Sequence, residues 1–132
     1  MIQWTDTPPK VGGTFVTCDS FRHIARYLAE HPEGAEPGAC GALIDQCEDF
    51  IELTGKTGDL TLIHPFTLHA SSPNPSGQPR FMSNAPVALK EPFNFNRKDP
   101  ADFSLVERGV LRALGIERYD FQISAPREWY GL

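Results

Sequence analysis

His69 closes one apolar run and Arg80 opens the next, with Pro73, Asn74, Pro75 and Gly77 supplying turn chemistry between them. The two residue types do complementary chemistry. A neutral imidazole binds a transition metal through one ring nitrogen, and a guanidinium fork grips a carboxylate with two parallel hydrogen bonds. Placed on two neighbouring strands, the pair would hold both ends of one small anionic cosubstrate at a metal. Spacing alone also allows His69 to be a hydrogen-bonded histidine at a strand end.

The elements around them are legible from periodicity. Gly12-Gly13 reads as a turn feeding a short strand, Thr14-Phe15-Val16-Thr17. From Ser20 the apolar positions Phe21, Ile24, Ala25 and Leu28 fall on one helical face, capped by Asp19 or Ser20 and stopped by Pro32 and Gly34. That face is expected to pack on a sheet. Residues 33–41 read as a surface loop with its turn at Pro37-Gly38. Residues 50–53 and 59–64 read as a hairpin across the glycines of Thr54-Gly55-Lys56-Thr57-Gly58, and residues 66–69 and 80–89 as a second extended pair holding the site. Ser104 and Glu107 form a capping box, Val106, Val110, Ala113 and Leu114 make one helical face, and Gly115 supplies the stop. A last extended piece, 119–123, precedes a Pro- and Arg-bearing tail. Short strands with peripheral helices indicate a β-rich α+β class.

Composition narrows the function. With 132 residues the chain suits a single domain, 1–132, and its net charge of −5 with scattered Lys and Arg argues against a nucleic-acid partner. No window approaches the roughly 18 apolar residues of a membrane span, and no signal peptide is visible, so the expectation is a cytoplasmic chain with no membrane partner. Cys18, Cys40 and Cys47 share no close-pair spacing, which argues against a disulfide framework and a structural zinc site and favours reduced, partly buried thiols.

Gly58-Asp59 before an apolar strand, His64-Pro65, and then His69-x-Ser71-x-x-Asn74 leading to Arg80 closely resemble the C-terminal part of the phytanoyl-CoA dioxygenase family. The resemblance extends to Trp4-Thr5-Asp6, Gly13 to Val16, the helix 24–31, and Pro100 to Glu107 with Leu111 to Gly115. It implies a partial double-stranded β-helix, a jelly-roll or cupin-like core, and an iron(II)- and 2-oxoglutarate-dependent dioxygenase acting on a small organic substrate. By the same resemblance His69 matches a metal ligand, Arg80 the arginine that pairs with the far carboxylate of 2-oxoglutarate, and Ser71 and Trp4 further cosubstrate contacts. Trp4 also reads as a core aromatic, and Ser71 as a turn residue.

One departure matters. Iron in that family is held by a 2-His-1-carboxylate triad whose first two ligands lie in a His-x-Asp motif, and this sequence has none. His31-Pro32-Glu33 has a related spacing but falls at a helix end outside the expected pocket. His64 reads as a packing residue on the opposite strand face, and His23 as an exposed one. Three readings follow: an oxygenase portion, a jelly-roll binding or assembly module that has lost its metal, and a site whose missing ligands come from a partner chain. A β-helix lacking strands would leave open edges, so homodimerisation through them is expected. Phe81, Met82, Phe93 and Phe95 read as core before they read as a substrate pocket.

Overall fold

The computed structural model describes residues 1–85, 87 and 90–125, and for Pro37 the backbone only. In chain order it carries β1 (Ile2–Gln3), β2 (Thr14–Thr17), α1 (Ser20–Glu30), α2 (Pro37–Gly41), a 3-10 helix (Ala42–Gln46), β3 (Phe50–Leu53), β4 (His69–Ser71), β5 (Met82–Ser83), a 3-10 turn (Pro100–Asp102) and α3 (Leu105–Leu114). The strands form two antiparallel sheets, one of order β3-β2-β4 and one of β1 with β5. Neither sheet closes into a barrel among the described residues, so the class is α+β, and the strands are shorter than a β-rich reading expects.

β2 forms where β-branched residues follow a glycine that the sheet itself requires. A Cβ on Gly13 would stand 2.8 Å from the Leu53 carbonyl oxygen and from Glu52 Cγ, both on the neighbouring strand region. The central strand then buries Thr14, Val16 and Thr17. Across it Val16 lies opposite Ile51 and His69, and Thr14 opposite Leu53 and Ser71.

α1 has the expected apolar stripe, but the stripe meets α3 and not a sheet. Ala25, Val110 and Ala113 form the buried centre, with Phe21, Phe66, Phe95 and Leu114 packed around it. Arg26 Nε donates to the Ala113 carbonyl at 3.1 Å, and the Tyr119 hydroxyl donates to the Ala29 carbonyl at 3.2 Å. α3 begins in the expected capping box and ends at Gly115, whose φ of 72° is the left-handed conformation that closes helices.

The Glu107 carboxylate is 1% exposed and fully engaged. Its oxygens accept from Asn94 N–H at 2.7 Å, Ser104 N–H at 2.8 Å, and Arg97 Nη2 and Nε at 3.0 and 3.1 Å. Burial alone would raise its pKa; the Arg97 guanidinium and the two backbone N–H groups overcome that and hold it at about 2. Glu91 shares Arg97 at 2.6 Å.

Several expected elements are absent or differently paired. Residues 59–64 do not return on β3. Gly55 instead exchanges backbone bonds of 2.8 and 3.0 Å with Thr7, and Asp6 accepts two hydrogen bonds from Thr57, so the chain is drawn toward its own first residues. Residue 60 then bridges Ile2 beside β1. The expected pair 66–69 with 80–89 is also not formed, because β4 pairs with β2 and β5 with β1; Pro86, Ala88 and Leu89 lie outside the described residues. Pro37-Gly38 starts α2 instead of a loop turn. Residues 119–123 form no strand, although Tyr119 N–H bonds the Phe95 carbonyl at 2.9 Å; the tail from Pro126 lies outside the described residues.

Candidate functional site

His69 sits on edge strand β4 with its side chain exposed. Its Nδ1 lies 3.0 Å from the Thr67 carbonyl oxygen, which can only accept, so Nδ1 carries the proton and Nε2 presents a lone pair. Metal-binding histidines are commonly oriented in this way. The strand's approach is set from below by Ser20, a fully buried residue at the start of α1. Its hydroxyl donates to the Thr17 carbonyl at 2.9 Å and accepts from Leu68 N–H at 2.9 Å.

Ser71 shares the sheet face of His69, being two residues along the same strand. Thr14, directly opposite Ser71, lies on that face too, and its hydroxyl reaches Met82 Sδ at 3.7 Å. The face that presents His69 and Ser71 is therefore the face that meets β5, two residues from Arg80. His69 and Arg80 are not on adjoining strands as expected: His69 lies on β4, and Arg80 lies outside any strand, two residues before β5 of the other sheet.

Arg80 is partly buried, and its Nη1 is inaccessible and has no hydrogen-bond partner among the described residues. It lines a cavity of about 210 Å³ with Asp6, Pro8, Val11, Gln78 and Pro79. The Asp6 carboxyl is held below its ordinary value by the backbone N–H and hydroxyl of Thr57, so the cavity carries both signs of charge. Trp4 lies nearby in the chain's pairing: its N–H donates to the Phe81 carbonyl at 2.9 Å and its indole Nε1–H to Ser83 Oγ at 3.1 Å. The indole is 57% exposed, so it is not a core aromatic, and with His69 and Ser71 also exposed no dry pocket encloses these groups among the described residues.

The remaining histidines separate clearly. His64 is a packing residue, its ring against Phe21 and Phe66, with Nδ1 accepting from Phe66 N–H at 3.1 Å; burial pushes its pKa down and keeps it neutral. His31 and Glu33 pair with each other, Nδ1 to Oε1 at 2.8 Å. They sit on the rim of a larger apolar cavity of about 820 Å³, whose lining includes Phe93, Phe95, Tyr119 and Phe121. Phe93 and Phe95 thus line a cavity, whereas Phe81 is 60% exposed.

His23 is not the exposed residue expected, being 25% exposed with its Nε2 at 3.9 Å from Asp19 Oδ2. Asp19 occupies the N-cap position of α1 without capping it; its Oδ2 instead accepts from Glu48 N–H at 3.0 Å. Cys47, buried, brings its thiol to the same place, and one donor atom from each of the three residues lies within 4.8 Å of the others. Sequence reasoning overlooked this group because it weighed cysteine spacing alone, and the donors come from two distant segments. Cys18 is exposed, and Cys40 is partly buried.

Among the described residues no helix is long and apolar enough to cross a membrane. No curated protein and no solved structure matches the chain. A family model described as phytanoyl-CoA dioxygenase matches residues 1–82, a span that includes Trp4, His69, Ser71 and Arg80, and on that match the chain belongs to the phytanoyl-CoA dioxygenase family.

Proposed function

We propose that this chain contributes to an iron(II)- and 2-oxoglutarate-dependent oxygenase centre on a partial double-stranded β-helix, with His69 a metal ligand and Arg80 the clamp for the cosubstrate's far carboxylate. The observation that carries the reading is Arg80 Nη1, buried with no partner among the described residues. An orphaned guanidinium nitrogen is costly unless an anion completes it, and a carboxylate matches its fork. The protonated Nδ1 of His69 adds support, because it leaves Nε2 as the donor. In this reading Ser71 contacts the cosubstrate from the imidazole's own face, and Trp4, tied to Ser83, flanks it from the β5 side.

No two other His, Cys, Asp or Glu donors converge with His69 among the described residues. One imidazole does not complete a triad, so the residues described do not by themselves fit iron. When bound, iron(II) would let dioxygen oxidise a carbon–hydrogen bond of a small organic substrate while 2-oxoglutarate is oxidised to succinate and carbon dioxide. What these residues do toward that chemistry is orient one dicarboxylate and offer one nitrogen. The other ligands would come from further sequence or from a second copy joined through a sheet edge.

The incomplete donor set also favours a second reading, a binding module that keeps the clamp without the metal. Calorimetric titration with 2-oxoglutarate tests the shared element. Saturable binding that disappears in Arg80→Ala is expected, and a wild-type chain that does not bind removes the proposal. Iron-dependent production of succinate then separates the oxygenase from the module.

A further inference from the structure

We infer that Asp19, His23 and Cys47 form a second metal site, distinct from His69, that takes a zinc-type divalent transition ion at the junction of β2, α1 and the segment leading into β3. The donor set comes first. A thiol, an imidazole and a carboxylate are the three side-chain ligands that zinc accepts, and their mixture of soft and borderline donors excludes calcium and magnesium, which require oxygen.

Geometry comes second. The three donor atoms lie within 4.8 Å of one another, with Asp19 Oδ2 and His23 Nε2 at 3.9 Å. Ligands of a tetrahedral zinc stand roughly 3.3–3.6 Å apart, given metal–ligand bonds of about 2.0–2.3 Å, so the donors need to close by no more than about 1.5 Å. The frame is already built: Cys18 N–H donates to the Asp49 carbonyl at 2.7 Å, and Glu48 N–H to Asp19 Oδ2 at 3.0 Å, stitching residues 18–19 to residues 48–49.

Unmet polar groups come third. Thr17, 3% exposed, has its hydroxyl against the Cys47 thiol, with no well-formed hydrogen bond among the described residues. Asp19 Oδ1 is likewise inaccessible and without a well-formed hydrogen bond among the described residues. Buried polar atoms left without partners in one small region mark a site that a ligand completes. A bound ion draws Asp19 into its shell, and the Cys47 thiolate it stabilises accepts a hydrogen bond from the Thr17 hydroxyl. Asp45, Glu48 and Asp49 lie within two residues of Cys47 in sequence and give this segment negative charge.

Binding exchanges one proton for the ion: the Cys47 S–H bond breaks, the sulfur lone pair passes to the metal, and the proton leaves to solvent. Three protein ligands leave the fourth position to water.

Titration of the metal-free full chain with cobalt(II), a coloured substitute for zinc, tests the site. A thiolate-to-cobalt charge-transfer band with intense tetrahedral d–d bands, saturating at one ion per chain and bleached by zinc, is expected. The band should vanish in Cys47→Ser, should need at least about tenfold more cobalt in His23→Gln and Asp19→Asn, and should persist in Cys18→Ser, Cys40→Ser and His69→Ala. The last variant separates this site from the proposed oxygenase centre. Absence of the band from the wild-type chain, or its survival in Cys47→Ser, overturns the assignment. Should Cys47→Ser lose its fold by circular dichroism, the partly exposed His23 and Asp19 variants decide, and unchanged affinity in both rejects the site.

Discussion

The carboxylate of Glu107 and the Nη1 nitrogen of Arg80 are both withdrawn from water, yet they are treated oppositely. Glu107 receives hydrogen bonds from Asn94, Arg97 and Ser104, and every partner is local to the start of α3. Arg80 has a buried nitrogen with none among the described residues. The first arrangement is complete without any ligand and reads as structure. The second is completed only from outside, which is how a binding group differs from a structural one.

The largest effect should come from breaking the satisfied region. Glu107→Ala leaves Arg97 in a partly buried position without its main counter-charge, and a loss of about 3–5 kcal/mol in urea unfolding is expected. The pH sign follows from the depressed pKa. Because Glu107 titrates at about 2 in the folded protein against an ordinary value of 4.5, its contribution is fully present above the ordinary range and fades as pH falls from there through about 2. Acid unfolding followed by circular dichroism should therefore move to higher pH in Glu107→Gln.

Next in size is the sheet. Gly13→Val places side-chain carbon against the Leu53 carbonyl oxygen, which cannot yield without disturbing the β2–β3 pairing, and a loss of about 1–3 kcal/mol in thermal unfolding is expected. A smaller and more discriminating change is Arg80→Met. Stability should shift by less than about 1 kcal/mol, or rise, because the substitution removes an unpaired polar group, while affinity for 2-oxoglutarate falls. Equal damage to both would place Arg80 with Glu107 as a structural residue. The smallest effect concerns the open edge. Ile51, 44% exposed on edge strand β3, is the place for a blunting charge, and Ile51→Lys should shift any edge-paired dimer toward monomer in sedimentation at a cost of about 0.5 kcal/mol.

The parts legible in the sequence were those specified by near neighbours. β2, the span of α1 and the capping box of α3 each depend on residues within a few positions, and all three appear where periodicity and capping chemistry put them. Pairing was less legible, because it depends on which partner is free. Residues 59–64 have strand-like alternation, but Thr7 and Asp6 take hold of Gly55 and Thr57 first. The same limit applies to the site: the chemistry of His69 and Arg80 could be read from their types, whereas the placement of one on β4 and of the other just before β5 of a different sheet could not. The Asp19, His23 and Cys47 group escaped altogether, since backbone bonds between residues 18–19 and 48–49 bring its members together and no local pattern records that.

Ser20 gives the helix layer a grip on the proposed ligand. One hydroxyl joins the end of β2 to the amide immediately before His69, so a displacement at the first turn of α1 is transmitted to the imidazole by a lever only one side chain long. Ser20→Ala would cut that lever while leaving every proposed ligand in the sequence. The height at which His69 stands over its sheet would then be governed by β4 pairing alone, and ligand affinity would become sensitive to the fraying of a three-residue edge strand.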